Sequence, residues 1–131
     1  MAPVNDVKIV IADDDNMTCS VLRLLLREQG FSVLGEARDG EKAVELCLLH
    51  RPDIAFLDID MPRLSGHEAA RKLSEQAPDT GIIMVSALPT LENVQKSVEA
   101  GAAGFVVKPF NAMKVMDAVG QCLQRGKDMK R

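Results

Sequence analysis

A chain of 131 residues, 47% hydrophobic and 27% charged, has the size and mix of one globular domain built on a single core. A formal net charge of −3 excludes a chain that wraps nucleic acid as a whole, and no apolar stretch approaches the roughly 20 residues needed to span a bilayer. Cys19, Cys47 and Cys122 lie far apart with no C-x-x-C, and three cannot all pair within one chain. They read as small buried hydrophobes, which, with no signal-like N-terminus, predicts a protein of the reducing cytoplasm.

The first predicted strand is KIVIA (8–12), followed by a helix with the apolar stripe Val21, Leu22, Leu25 and Leu26 that stops at Gly30. SVLGEA (32–37) is more mixed and suits a sheet edge. Asp39-Gly40 opens a second helix, with Ala43, Val44, Cys47 and Leu48 inward and Pro52 closing it. DIAFL (53–57) is a third strand, and Gly66 to Gln76 a third helix closed by Pro78. GIIMVSA (81–87) is the fourth strand; Leu91, Val94 and Val98 mark the helix after it, which ends at Gly101. GFVVK (104–108) is the fifth, and Asn111 caps a last helix with the stripe Val115, Val119, Cys122 and Leu123. Four of the five runs are non-alternating and rich in Val, Ile or Phe, as parallel strands covered on both faces are. Right-handed crossovers between them give a doubly wound three-layer α/β sandwich. The basic cluster Arg125, Lys127, Lys130 and Arg131 reads as a solvated tail or the start of a linker, so the domain is placed at 1–125 and the tail at 126–131.

In such a sheet ligands bind beyond the carboxyl ends of the strands. Strand one ends in Asp13-Asp14-Asp15, strand three in Asp58 followed by Asp60, strand four in Ser86-Ala87, and strand five in Lys108-Pro109-Phe110. Each acid alone reads as a helix cap or solvated turn, Lys108 alone as a surface lysine, and Ser86 alone as a turn residue. Independent caps have no reason to gather at equivalent strand ends, and that shared placement favours a site. Two full charges about 4 Å apart repel by roughly 4 kcal/mol at an effective dielectric near 20, so clustered carboxylates invite a cation. Hard oxygen ligands suit Mg2+, with Mn2+ as the alternative. A metal, a lysine and a hydroxyl around one carboxylate would receive a phosphoryl group, and the carboxylate itself can be the nucleophile.

The acidic pair Asp13-Asp14, the LDIDMP-x-x-x-G block around Asp58, Ser86-Ala87, and the GAAGFVVKPF block resemble, in that order, the receiver domain of bacterial two-component response regulators. The resemblance runs from about Lys8 to Leu123. It implies a single flavodoxin-like (βα)5 fold with strand order 2-1-3-4-5 and a cis Lys108-Pro109 bond. It implies that Asp58 is the phosphoacceptor, served by Lys108. Asp14 and Asp58 would ligate Mg2+ directly, with the backbone carbonyl of Asp60 as a further ligand and Asp13 acting mainly through water. Ser86 would swing toward the phosphoryl group and Phe105 rotate inward behind it. A histidine kinase or phosphotransfer protein would supply the phosphoryl group. A downstream protein or attached output domain would read the face made of helix four, strand five and helix five, with no nucleic acid or membrane bound directly.

A rival reading makes the chain an enzyme, because Asp58-Ile-Asp60 also resembles the D-x-D of haloacid-dehalogenase-type phosphatases. That family carries its pair on the first strand and its metal acids after the lysine, whereas here the acids precede Lys108. A degenerate receiver that only binds partners is disfavoured because every phosphorylation position is filled. His50 and His67 are expected to face solvent, the seven methionines to be mostly core filler, and Met113 to pack ordinarily. No phosphate-loop motif for nucleotides is present.

Overall fold

The computed structural model describes residues 7–129, with side chains described through Arg125. Strands β1 (Lys8–Ala12), β2 (Ser32–Ala37), β3 (Ile54–Asp58), β4 (Gly81–Ser86) and β5 (Gly104–Val107) alternate with helices α1 (Asn16–Glu28), α2 (Gly40–His50), α3 (Gly66–Gln76), α4 (Leu91–Glu99) and α5 (Ala112–Met129). All strands pair in parallel in the order 2-1-3-4-5, with the mixed strand β2 at one edge. This is the flavodoxin-like doubly wound sheet expected from the sequence, and the Lys108-Pro109 bond is cis.

The central strands bury both faces because side chains alternate between them. Val10, Ala55, Leu57 and Met84 join Ala43 and Cys47 of α2 and Ala69, Ala70 and Leu73 of α3 in one cluster. Ile9, Ile11, Phe56, Ile83 and Val106 point the other way, to Leu22 and Leu26 of α1 and Val115, Val119 and Cys122 of α5. The three cysteines are free and buried, as read from the sequence.

Each helix starts at the carboxyl end of the sheet from a polar cap. Asp15 caps α1, Asp39 caps α2, Ser65 and Glu68 form a capping box on α3, and Thr90 caps α4. Asn111 accepts from Lys114 N at 2.9 Å and opens α5, as expected. The caps fix where each chain leaves the sheet, and so set the loops around the strand ends.

Several expectations about side chains are corrected. Val21 is 41% exposed, and Cys19 takes its place beside Leu22 and Leu26 on the inner face of α1. Helix α4 is turned more strongly: Leu91 and Val98 of its apolar stripe are 74% and 64% exposed, while its buried residue is Ser97. The reason is close packing against α3, where Ser74 Oγ donates to Ala100 O at 2.8 Å and a methyl on Gly101 would overlap Ser74 Oγ. Only small residues fit that seam. Met17 and Met113 are also exposed, so core filling describes Met61 and Met84 and not the methionines generally. Lys130 and Arg131 of the basic cluster lie outside the described residues.

Two glycines separate packing from propensity. A side chain on Gly66 would overlap the Asp58 backbone, whereas nothing lies within 4 Å of a methyl on Gly120, which sits exposed inside α5. Gly66→Ala is expected to lower unfolding stability by about 2 kcal/mol or more. Gly120→Ala is expected to raise it by about 0.5–1 kcal/mol. Urea unfolding curves of the two variants check both signs.

Candidate functional site

Strand register brings the site together. Ala12 of β1 lies opposite Leu57 of β3, so the next residues, Asp13 and Asp58, emerge side by side. Asp58 lies opposite Val85, and Ser86 opposite Val107, which sets Ser86 and Lys108 one step along the same sheet end. Backbone bonds hold the exits: Asp13 N donates to Ala37 O at 3.0 Å, Ile59 N to Val85 O at 3.1 Å, and Lys108 N to Ser86 O at 2.9 Å. The β3–α3 loop folds back through Gly66 N, which donates to Ile59 O at 2.9 Å. Only glycine permits that approach, since a side chain there would collide with Asp58.

Lys108 Nζ lies 2.8 Å from Asp13 Oδ2 and 3.4 Å from Asp58 Oδ2, bridging two carboxylates that are both buried. Asp14 completes the cluster from its solvent side; oxygens of Asp13, Asp14 and Asp58 all lie within 4.8 Å of one another. Burial, and then the Asp13 charge, pushes the Asp58 carboxyl up to about 7, with Lys108 and the Asp60 N–H offsetting only part of it. Burial alone would lower the Lys108 ammonium, but its contacts with Asp13 and Asp58 outweigh that and hold it above the ordinary lysine value. The arrangement therefore carries an excess of negative charge that one lysine does not neutralise. Three hard oxygen donors with an open, water-facing side match what Mg2+ takes from proteins.

The other predicted site residues divide. Ser86 is fully buried, and its hydroxyl is engaged with Leu88, accepting from Leu88 N at 3.0 Å and donating to Leu88 O at 3.3 Å. It therefore faces the β4–α4 loop. Phe105 is half-buried against the cluster on the α2–α3 side of the sheet. Asp60 is exposed, and its backbone N–H donates to Asp58 Oδ1 at 3.2 Å. Asp15 departs from the acidic run: its side chain accepts from Met17 N and Thr18 N and binds the Thr18 hydroxyl at 2.7 Å, which makes it a helix cap.

One residue contradicts its sequence reading. His50 is exposed, as expected, but His67 is buried and its Nε2 lies 3.0 Å from Ser97 Oγ. The available signal was spacing, since His67 falls on the same face of α3 as Ala70 and Ser74.

A parallel five-stranded sheet with an acidic cluster on β1 and β3 and a lysine after β5 defines a phosphoacceptor-type receiver architecture. The family model described as response regulator receiver domain matches residues 9–120, and the chain belongs to that family. The transcriptional regulatory protein PdtaR of Mycobacterium tuberculosis is 34% identical over 124 residues, covering 93% of this chain and 59% of PdtaR. The chemotaxis protein CheY of Bacillus subtilis is 35% identical over 116 residues, covering 88% of this chain and 97% of CheY. The chain thus spans about three fifths of one relative and nearly all of another. Among solved structures, the signal receiver domain of NarL from Mycobacterium tuberculosis aligns with a TM-score of 0.85 at 32% identity, covering 91% of this chain and 97% of that one. CheY in a CheX–CheY–BeF3–Mg2+ complex from Borrelia burgdorferi aligns at 0.83 and 33% identity, covering 86% of both chains. The protein is a receiver domain of two-component signalling, and its matches lend no support to the dehalogenase-type alternative.

A buried acid with a raised folded-state value binds its proton more tightly in the fold than in the unfolded chain. Asp58 therefore contributes stability at acidic pH, and that contribution is lost as pH rises through about 7. Without metal, lowering pH from about 8 to about 6.5 is expected to raise the melting temperature, and Asp58→Asn is expected to flatten that slope. Thermal melts in a chelator at the two pH values, for wild type and variant, check it.

Proposed function

We propose that this receiver accepts a phosphoryl group on Asp58 in a Mg2+-dependent reaction and thereby changes the surface it offers to a protein partner. The observation that carries the reading is the Lys108 ammonium shared between buried Asp13 and Asp58 at the end of the sheet, with Asp14 beside them. Asp13 and Asp58 are both buried and both paired with Lys108, and the choice of Asp58 between them rests on its place in the LDIDMP block of the receiver family. Asp14 and Asp58 would hold the metal directly, with the Asp60 carbonyl as a further ligand and Asp13 acting mainly through water. Bound Mg2+ would neutralise the carboxylates and the charge on the phosphoryl oxygens.

The donor is a phosphohistidine of a histidine kinase or phosphotransfer protein. An Asp58 oxygen attacks phosphorus, the donor P–N bond breaks, and the departing imidazole takes up a proton. Lys108 is already seated on Asp58 and needs only a small shift to pair with a phosphoryl oxygen. Ser86 is the differential contact. Its hydroxyl would exchange Leu88 for the phosphoryl group, and the β4–α4 loop would move with it. Phe105, half-buried beside it, would turn inward and alter the face of α4, β5 and α5. A downstream protein or an attached output domain reads that face. The related CheY in complex with CheX, BeF3 and Mg2+ supports a metal and a protein partner in the same state. The chain acts as a phosphoacceptor in the cytoplasm, with self-phosphorylation and self-dephosphorylation but no turnover of many esters. Among the described residues no helix is long and apolar enough to cross a membrane.

Incubation with a small acyl-phosphate donor and Mg2+ is expected to add one phosphoryl group by intact mass, absent in Asp58→Asn. Asp14→Asn is expected to lose the Mg2+ dependence, since one remaining direct carboxylate rarely holds that ion. Ser86→Ala is expected to keep the adduct and show smaller NMR shifts in α4 and β5. Labelling that persists in Asp58→Asn would overturn the assignment.

A further inference from the structure

Helix α4 is built inside out. Leu91 and Val98 recur at i, i+7 and face solvent, while Asn93, Ser97 and Ala100 recur at i, i+4, i+7 and face α3. Apolar burial alone would rotate this helix the other way. Something directional must oppose that rotation.

Ser97 Oγ donates to Asn93 O at 2.8 Å and lies 3.0 Å from His67 Nε2 of α3. A hydroxyl has one proton, so with that proton on the Asn93 carbonyl its lone pairs accept from His67 Nε2–H. All three groups lie on the seam between α3 and α4. His67 itself follows Gly66, whose N–H returns to the Ile59 carbonyl beside Asp58. A second polar tie, Ser74 Oγ to Ala100 O, closes the far end of the seam.

We propose that the buried His67–Ser97 pair, its hydroxyl oriented by the Asn93 carbonyl, is a latch that fixes the rotational setting of α4, holding Leu91 and Val98 outward and joining that helix to the phosphoacceptor loop. His67 and Ser97 are positioning residues: they touch no reacting atom and act through α4. The latch concerns α4 alone, and its use in signalling rests on the phosphoacceptor reading above.

The latch is also sensitive to pH. Burial holds the His67 imidazole below the ordinary histidine value, with the Asn93 carbonyl opposing. A proton added to the ring would place a cation in the seam. Lys96 of α4 and Arg71 of α3 repel that charge, while Asp60 of the β3–α3 loop attracts it. A depressed folded-state value means that stability present above the ordinary histidine range is lost as pH falls below it.

Amide hydrogen exchange of the unphosphorylated, metal-free protein tests this independently of any phosphoryl chemistry. His67→Leu and Ser97→Ala are expected to speed exchange across Leu91–Glu99 by about tenfold while β1 and β3 stay protected. His67→Gln, whose amide N–H can reach Ser97 Oγ, is expected to restore protection. In wild type, exchange of α4 corrected for intrinsic rates is expected to rise between about pH 7.5 and about pH 5.5, and in His67→Gln to stay flat. Wild-type protection of α4 in both disrupting variants, or loosening of α4 only together with the central strands, overturns the latch. An equal pH response in His67→Gln overturns its pH sensitivity.

Discussion

Two carboxylates buried against one lysine are the constraint around which this domain is organised. Asp13 and Asp58 leave adjacent parallel strands at the same level, and no rearrangement short of shifting the register separates them. Their repulsion is of the order of a few kcal/mol at an effective dielectric near 20, comparable to a large share of a small domain's stability. Lys108 offsets part of it, and burial together with the Asp13 charge still holds the Asp58 carboxyl above the ordinary aspartate value. The fully buried strands on either side supply the rigidity that keeps the charges together. A looser sheet would let them drift apart and disperse the acidic cluster.

The two sides of the site are anchored by different groups. Around Asp58, backbone groups do the holding: Asp60 N–H on the carboxylate, Gly66 N–H on Ile59 O, Ile59 N–H on Val85 O. The last two tie main chain to main chain and fix where the end of β3 sits, while the Asp60 N–H orients the Asp58 carboxylate itself. On the β4–α4 side the anchor is a hydroxyl, Ser86, tied to Leu88, and a hydroxyl can change partners at little cost. The two sides of the site thus differ in the kind of hydrogen bond that holds them.

Most of the architecture was legible in the sequence because parallel strands buried on both faces print themselves as apolar runs, and polar caps mark where they end. IAFLD and GIIMVS needed no other clue. The site was legible for the same reason, since each of its residues stands at a strand end. What periodicity could not resolve was helix rotation where small residues mediate the contact. Leu91, Val94 and Val98 look like a core stripe, yet Ser97, Ala100 and Gly101 let α4 approach α3 too closely for leucine or valine to enter. His67 belongs to the same seam: its partner lies thirty residues away, and only its spacing with Ala70 on α3 hinted that it turns inward. Asp15 was the converse case, an acid in the right run whose side chain belongs to the helix it caps.

The inverted α4 is seated with little apolar burial against its neighbours. A helix that buries its apolar stripe against the sheet gains roughly 1.5–3 kcal/mol for each large side chain so placed and would be hard to displace with one phosphoryl contact. A helix with no such anchor would not hold a defined face at all. Seating α4 through Ser97 on His67 and Ala100 on Ser74 avoids both extremes: hydrogen bonds across the seam define its orientation while little apolar area opposes its movement. The same arrangement leaves Leu91 and Val98 of α4 exposed, with Leu88 of the preceding loop exposed as well. Light seating and exposed apolar side chains are therefore two consequences of one packing arrangement, set at the α3–α4 seam where the helices come too close for larger side chains.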